Sequence, residues 1–149
     1  MIVFKQGNIF DSQCQALVNP VNCVGVSGKG LALQFKQRYP GMFEYYKGQC
    51  ILKKLEPGVC YFYNPEMGKK VVLFPTKIHW KDKSELKWIE EGLDFLRNVI
   101  LNKQLDSIAF PALGCGCGEL NWNDVKKIMI DCLSDLPIYI EIYEPVKEV

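Results

Sequence analysis

Histidine is almost missing from the chain: His79 stands alone among 149 residues. With one imidazole, with Cys115 and Cys117 only two positions apart, and with no second pair at zinc spacing, a structural metal lacks ligands, and no metal is expected. Long hydrophobic runs are missing too. No apolar stretch nears the roughly 20 residues that cross a bilayer, and the N-terminus lacks a basic segment followed by a long apolar one. A cytoplasmic protein with no membrane partner is therefore expected. Nor does one sign of charge dominate. The formal net charge of +1 argues against a protein whose main work is gripping duplex DNA through many lysines and arginines, while brief contact with one modified nucleotide stays open. Linkers, repeats and low-complexity tracts are absent, so a single domain over residues 1–149 is expected.

What is present is an ordinary globular composition, 48% apolar and 23% charged, which removes disordered and collagen-like readings. Seven cysteines suggest a disulfide scaffold at first, but the number is odd. Cys60 and Cys132 also sit inside hydrophobic runs, where a free cysteine behaves as a small apolar residue. All are read as reduced.

Two glycine-rich segments carry the strongest signal: Asn22 to Gly30, and Gly114 to Gly118. Each follows an apolar β-like run and precedes a helix-like one. Two such turns, far apart in sequence, converge at one sheet edge and grip a ligand from both sides. Glycine permits close backbone approach, and N–H groups exposed at a helix start favour anions, so the ligand implied is a phosphate compound. Neither segment has the spacing of an ATPase phosphate loop, since Lys29 lies between two glycines with no hydroxyl after it, and the first lacks the dinucleotide pattern.

Strands are expected at Ile2–Lys5, Ala16–Pro20, Val59–Tyr63, Val71–Phe74, Ser107–Pro111 and Ile138–Tyr143. A helix follows the first loop and ends at Pro40-Gly41, and a second short one covers Met42–Cys50. A long helix begins at Ser84 as its N-cap and carries Leu86, Ile89, Leu93, Leu96 and Ile100 at helical spacing, and a last one runs from an Asn121 cap through Cys132. The order β-β-α-α-β-β-α-β-α-β predicts an α/β fold: a mixed, largely parallel sheet with helices on both faces, which puts both loops at the carboxyl ends of the strands.

Gly7-Asn8-Ile9, Ala16-Leu17-Val18-Asn19-Pro20-Val21-Asn22, Gly28-Lys29-Gly30-Leu31-Ala32 and Pro111-Ala112-Leu113-Gly114-Cys115-Gly116 together resemble a macro domain, the three-layer α/β/α module that binds ADP-ribose. Val24 to Lys36, Phe74-Pro75-Thr76-Lys77-Ile78-His79-Trp80 and Leu120-Asn121-Trp122 look most like the DarG antitoxin branch. That branch removes ADP-ribose from DNA bases and is related to glycohydrolases that release terminal ADP-ribose from protein glutamate.

The resemblance implies that Asn8 and the Ile9 backbone meet adenine, and that Val26, Gly28, Lys29 and Gly30 lie against the diphosphate and distal ribose. Thr76 and the second loop, Leu113, Gly114, Cys115, Gly116, Cys117 and Gly118, complete the cradle. Most relatives have aspartate where Asn8 stands, so a weaker hold on adenine is expected. Lys77 takes the catalytic part in this branch. An amine beside the anomeric carbon attacks an oxocarbenium-like centre or an opened aldehyde in its uncharged form, which burial favours. On residue grounds alone Lys77 reads as an exposed lysine at a strand end. Asn22 would hold the distal ribose, or, read on its own, would only shape a turn. The acid that the protein-ester hydrolases carry in the second loop falls here at Gly118, which matches the DNA-directed branch, and Glu119 either substitutes for it or is a polar loop residue.

Lys77, His79, Lys81, Lys83 and Lys87, interleaved with Trp80 and Trp88, form the most basic stretch, suited to single-stranded DNA or to nothing beyond a solvated loop. The expectation is an ADP-ribosyl hydrolase without cofactor, monomeric, acting on ADP-ribosylated DNA and on glutamate-linked ADP-ribose. A non-catalytic ADP-ribose reader and an O-acetyl-ADP-ribose deacetylase are the alternatives.

Overall fold

Two apolar runs set the centre of the molecule. Leu17-Val18 and Val71 to Phe74 have no exposed surface, the mark of strands covered on both faces rather than one. In a computed structural model that describes residues 1–146 they belong to β2 (Ala16–Val21) and β4 (Lys70–Pro75). These pair in parallel from Ala16↔Lys70 to Val21↔Pro75. The remaining strands are β1 (Ile2–Lys5), β3 (Tyr61–Tyr63), β5 (Ser107–Phe110) and β6 (Tyr139–Tyr143). The sheet order is β1-β6-β5-β2-β4-β3, parallel throughout except for β3, which pairs antiparallel with β4 at the edge.

Alternation of side chains along these strands feeds two cores. One face sends Leu17, Val21, Val71 and Leu73 against Phe35 of α1 (Gly30–Arg38) and Met42 and Tyr46 of α2 (Pro40–Ile51). The other sends Ala16, Val18, Val72, Phe74, Ile108 and Phe110 against Ile89, Leu93 and Leu96 of α3 (Leu86–Asn102) and Val125 and Met129 of α4 (Trp122–Leu133). This is the three-layer α/β/α arrangement expected. No helix among the described residues is long and apolar enough to cross a membrane, and the seven cysteines are free thiols.

Several local boundaries differ from expectation by a residue or two. Pro40 does not only end a helix; it opens α2 in the first turn, where a missing N–H costs nothing and its fixed φ suits the helix. β3 begins at Tyr61, two residues later than Val59. Ser84 is not the cap of α3: Glu85 holds that position with no side-chain bond, while Ser84 is buried and its Oγ has no hydrogen-bond partner among the described residues. Asn121 does cap α4, its Oδ1 accepting from Asp124 N at 3.3 Å.

Candidate active site: a cleft at the carboxyl ends of the strands

Parallel strands β1, β2, β4, β5 and β6 deliver their carboxyl ends to one side of the sheet, and a cleft of about 880 Å³ opens there. Its walls come from Gly7 to Ile9 after β1, Asn22 and Val26 to Leu31 after β2, and Thr76, Lys77 and Trp80 after β4. Pro111, Ala112 and Gly114 to Gly118 follow β5, and Tyr143 to Val146 end β6. Every site residue expected from sequence faces this cleft except Leu113. That side chain is fully buried in the core, so it supports the second loop from beneath.

The first loop is organised by Asn22. Its Oδ1 accepts from Val24 N at 3.1 Å, Val26 N at 3.4 Å and the Tyr46 hydroxyl at 2.7 Å, and its Nδ2 donates to the Val26 carbonyl at 2.7 Å. The side chain is 8% exposed, and among the described residues one amide hydrogen is left for a ligand. The turn-forming and ligand-holding readings of Asn22 are thus compatible in one side chain. Gly30 starts α1 at φ +62°, and the Lys29 cap supplies no side-chain bond. The first N–H groups of α1 therefore lack a capping partner at the cleft wall, a setting that favours an anion.

The second loop folds onto the start of α3. Leu120 N donates to the Gly114 carbonyl at 2.9 Å, Glu119 N to Gly116 at 3.1 Å, and Ser84 N to Gly118 at 3.0 Å. A Cβ on Gly118 would overlap Ser84 Oγ and stand 2.5 Å from the Gly114 carbonyl oxygen. Glycine is therefore a packing requirement at 118. Glu119, with φ +62°, turns out of the cleft toward Lys83, 3.7 Å away. It does not stand in for an acid at 118. Glu144 is the one carboxylate in the described lining, and it is held by Trp122 Nε1 and Lys126 Nζ, both at 3.1 Å.

Lys77 leaves β4 with 8% of its surface exposed. Its Nζ donates to the Trp80 carbonyl at 3.2 Å and has no carboxylate partner among the described residues. Cys23 ties this segment to the first loop: its N–H donates to the Ile78 carbonyl at 2.9 Å and its thiol to the Lys77 carbonyl at 3.3 Å. Burial pushes the Cys23 thiol up to about 12, with Cys50 adding to the effect, and the Cys115 thiol up to about 11. Both stay protonated at neutral pH. At the wall formed after β1, Asn8 Oδ1 accepts from Phe10 N at 2.9 Å and caps the 3-10 turn Ile9–Asp11.

Sequence reasoning missed the wall from Tyr143 to Val146 and the clasp made by Cys23. Neither carries a motif. One is the chain simply continuing past a strand, and the other depends on which segments meet in space.

A family model described as the Macro domain matches residues 18–129. Over 97% of its length the chain is 41% identical to the DNA ADP-ribosyl glycohydrolase of Mycobacterium tuberculosis, and it spans 42% of that relative's length. The solved macrodomain of Mycobacterium tuberculosis DarG matches with a TM-score of 0.95 at 41% identity, covering 98% of this chain and 99% of that one. Thermosipho africanus DarTG in complex with ADP-ribose matches with a TM-score of 0.95 at 38% identity, covering 99% of this chain and 43% of that one.

Proposed function

This chain belongs to the macro domain family, and from that premise we propose that it is an ADP-ribosyl hydrolase that clears ADP-ribose from DNA, single strands in particular, working as a monomer. The observation that carries the reading is the buried Lys77 amine in the wall of a cleft flanked by two glycine loops. The relatives support the substrate, since one at 41% identity is named a DNA ADP-ribosyl glycohydrolase and a structural neighbour holds ADP-ribose.

In this reading adenine lies at Asn8 and Ile9. The diphosphate lies against the start of α1 and the second loop, Gly114 to Gly118, where N–H groups and the helix dipole oppose its charge. The distal ribose lies beside Thr76 and the free amide hydrogen of Asn22, which keeps the anomeric carbon near Lys77. The Lys77 amine bonds to that carbon through its nitrogen lone pair as the bond to the base breaks. The electron pair of the broken bond stays on the base nitrogen, which takes a proton from water. The amine sheds a proton to the hydroxide left by that water, a second water adds to the same carbon and passes its proton to the lysine nitrogen, and the carbon–lysine bond breaks to release ADP-ribose and restore the lysine.

The test is release of ADP-ribose from two substrates side by side: a single-stranded oligonucleotide carrying ADP-ribosyl-thymidine, and a protein carrying ADP-ribosyl-glutamate. The oligonucleotide should be cleared, and Lys77→Ala should slow that by at least about a thousandfold while still binding ADP-ribose. Clearance of the protein ester alone would overturn the DNA assignment. Binding without clearance of either would make the chain a reader, and unchanged turnover in Lys77→Ala would remove the lysine mechanism.

A further inference from the structure

Past Lys77 the cleft wall ends in an indole. Trp80 lines the cleft and keeps 45% of its surface exposed, and its carbonyl is the acceptor for Lys77 Nζ at 3.2 Å, so the Trp80 backbone and the amine meet in the wall of one cleft. The turn beneath is fixed: His79 Nδ1 accepts from Lys81 N at 3.2 Å, and the His79 carbonyl accepts from Asp82 N at 3.0 Å. The ring centroids of His79 and Trp80 lie 5.6 Å apart, tilted by 30°, and Lys81 Nζ stands 5.2 Å from the indole centroid. Among the described residues Lys81 has no carboxylate partner, unlike Lys83, which faces Glu119.

An exposed tryptophan on a stiff turn, with an unpaired cation beside it, is the combination that stacks a nucleobase and steadies the adjoining phosphate. Its place in the cleft says which base. The two glycine loops and the wall at Asn8 and Ile9 account for ADP-ribose itself, and the bond to be broken lies at Lys77. Trp80 is the exposed aromatic ring in the described lining, and so the surface that suits a base attached beyond that bond. We propose that Trp80 is a leaving-group subsite: its indole stacks on the nucleobase that carries the ADP-ribose, and Lys81 faces the phosphate next to it. The inference rests on the reading of the chain as a hydrolase of base-linked ADP-ribose. It makes Trp80 the residue that separates base-linked from glutamate-linked substrate, because a glutamate side chain offers no ring to stack.

Calorimetry on Lys77→Ala, which leaves modified DNA intact, tests this. The quantity read is the ratio of affinities for a single-stranded oligonucleotide carrying ADP-ribosyl-thymidine and for free ADP-ribose. Adding Trp80→Ala should lower that ratio by about 5- to 150-fold, the factor for about 1–3 kcal/mol of stacking per base, and Trp80→Phe should keep most of it. A ratio that moves less than about twofold with Trp80→Ala, an equal loss in Trp80→Phe, or an oligonucleotide that binds no tighter than free ADP-ribose overturns the subsite. Turnover with Lys77 intact is scored separately. Cleared DNA with an unmoved ratio keeps the hydrolase and discards the subsite, whereas uncleared DNA with a collapsed ratio does the reverse.

Discussion

Gly118→Ala should loosen the second loop and weaken ADP-ribose binding. The added Cβ would overlap Ser84 Oγ and stand 2.9 Å from Ser84 Cβ and 2.5 Å from the Gly114 carbonyl oxygen. Real Cβ atoms essentially never approach a heavy atom within 3.0 Å, so the carbonyl must retreat by about 0.5 Å. It is not free to do so, because it accepts from Leu120 N at 2.9 Å, and Gly118 itself accepts from Ser84 N at 3.0 Å. Overpacking of this kind costs about 1–3 kcal/mol. For a domain of this size each kcal/mol lowers the melting temperature by about 2–4 °C, so a fall of about 2–12 °C is expected. Gly116→Ala is the control within the same loop, since nothing lies within 4 Å of its Cβ position; it should melt within about 2 °C of the parent. Scanning calorimetry reads the melting temperatures and titration calorimetry the ADP-ribose affinity. Adding Ser84→Gly to Gly118→Ala should restore part of the loss, because it removes two of the three close contacts. Equal melting temperatures for Gly118→Ala and Gly116→Ala, with ADP-ribose affinity unchanged in Gly118→Ala, would refute the packing argument.

Other expectations concern titration, adenine and the Lys77 turn. Burial alone would push the Glu141 carboxyl up, yet bonds from Lys5, Ser12, Tyr139 and Tyr143 outweigh it and hold it at about 2 instead of 4.5. The folded pKa being the lower one, this carboxylate adds about 3 kcal/mol that is present above pH 4.5 and lost as pH falls toward 2. Glu141→Gln should flatten that acid limb, and an equally steep limb in the variant would reject the assignment. Asn8→Asp keeps an oxygen for Phe10 N and gains a charged acceptor, so titration calorimetry should show ADP-ribose bound about fivefold tighter; unchanged affinity would remove Asn8 from adenine recognition. His79→Ala deletes the acceptor for Lys81 N and should lower kcat about tenfold with little change in KM. His79→Asn offers an oxygen in its place and should recover most of the rate, and a variant as slow as His79→Ala would show that the turn does not position Lys77.

Much of this was legible in the chain because it is local. The apolar runs around Leu17 and Val72 signal strands buried on both faces, the helical spacing from Leu86 to Ile100 gives α3, and both glycine segments fall where strands end, so the cleft and the two glycine loops in its wall follow. What escaped depends on contacts between distant segments. Ser84 looks like a cap from its neighbours, but the second loop needs it as a floor, and its N–H serves Gly118 instead of its own helix. Leu113 stands between the cleft-lining Ala112 and Gly114, yet its side chain joins the core cluster of Phe110 and Ile89. Glu119 could be weighed as a substitute acid only until its backbone direction was known.

The clasp at Cys23 has a bearing on motion. Its amide and thiol join the first glycine loop to the carbonyls of Ile78 and Lys77, while Asn22 and Tyr46 fasten the same loop to α2. Loop and lysine therefore cannot open one at a time. Their amides should exchange with solvent deuterium as one cooperative block, and a nucleotide that settles on the loop should slow exchange at Ile78, a residue outside the cleft lining.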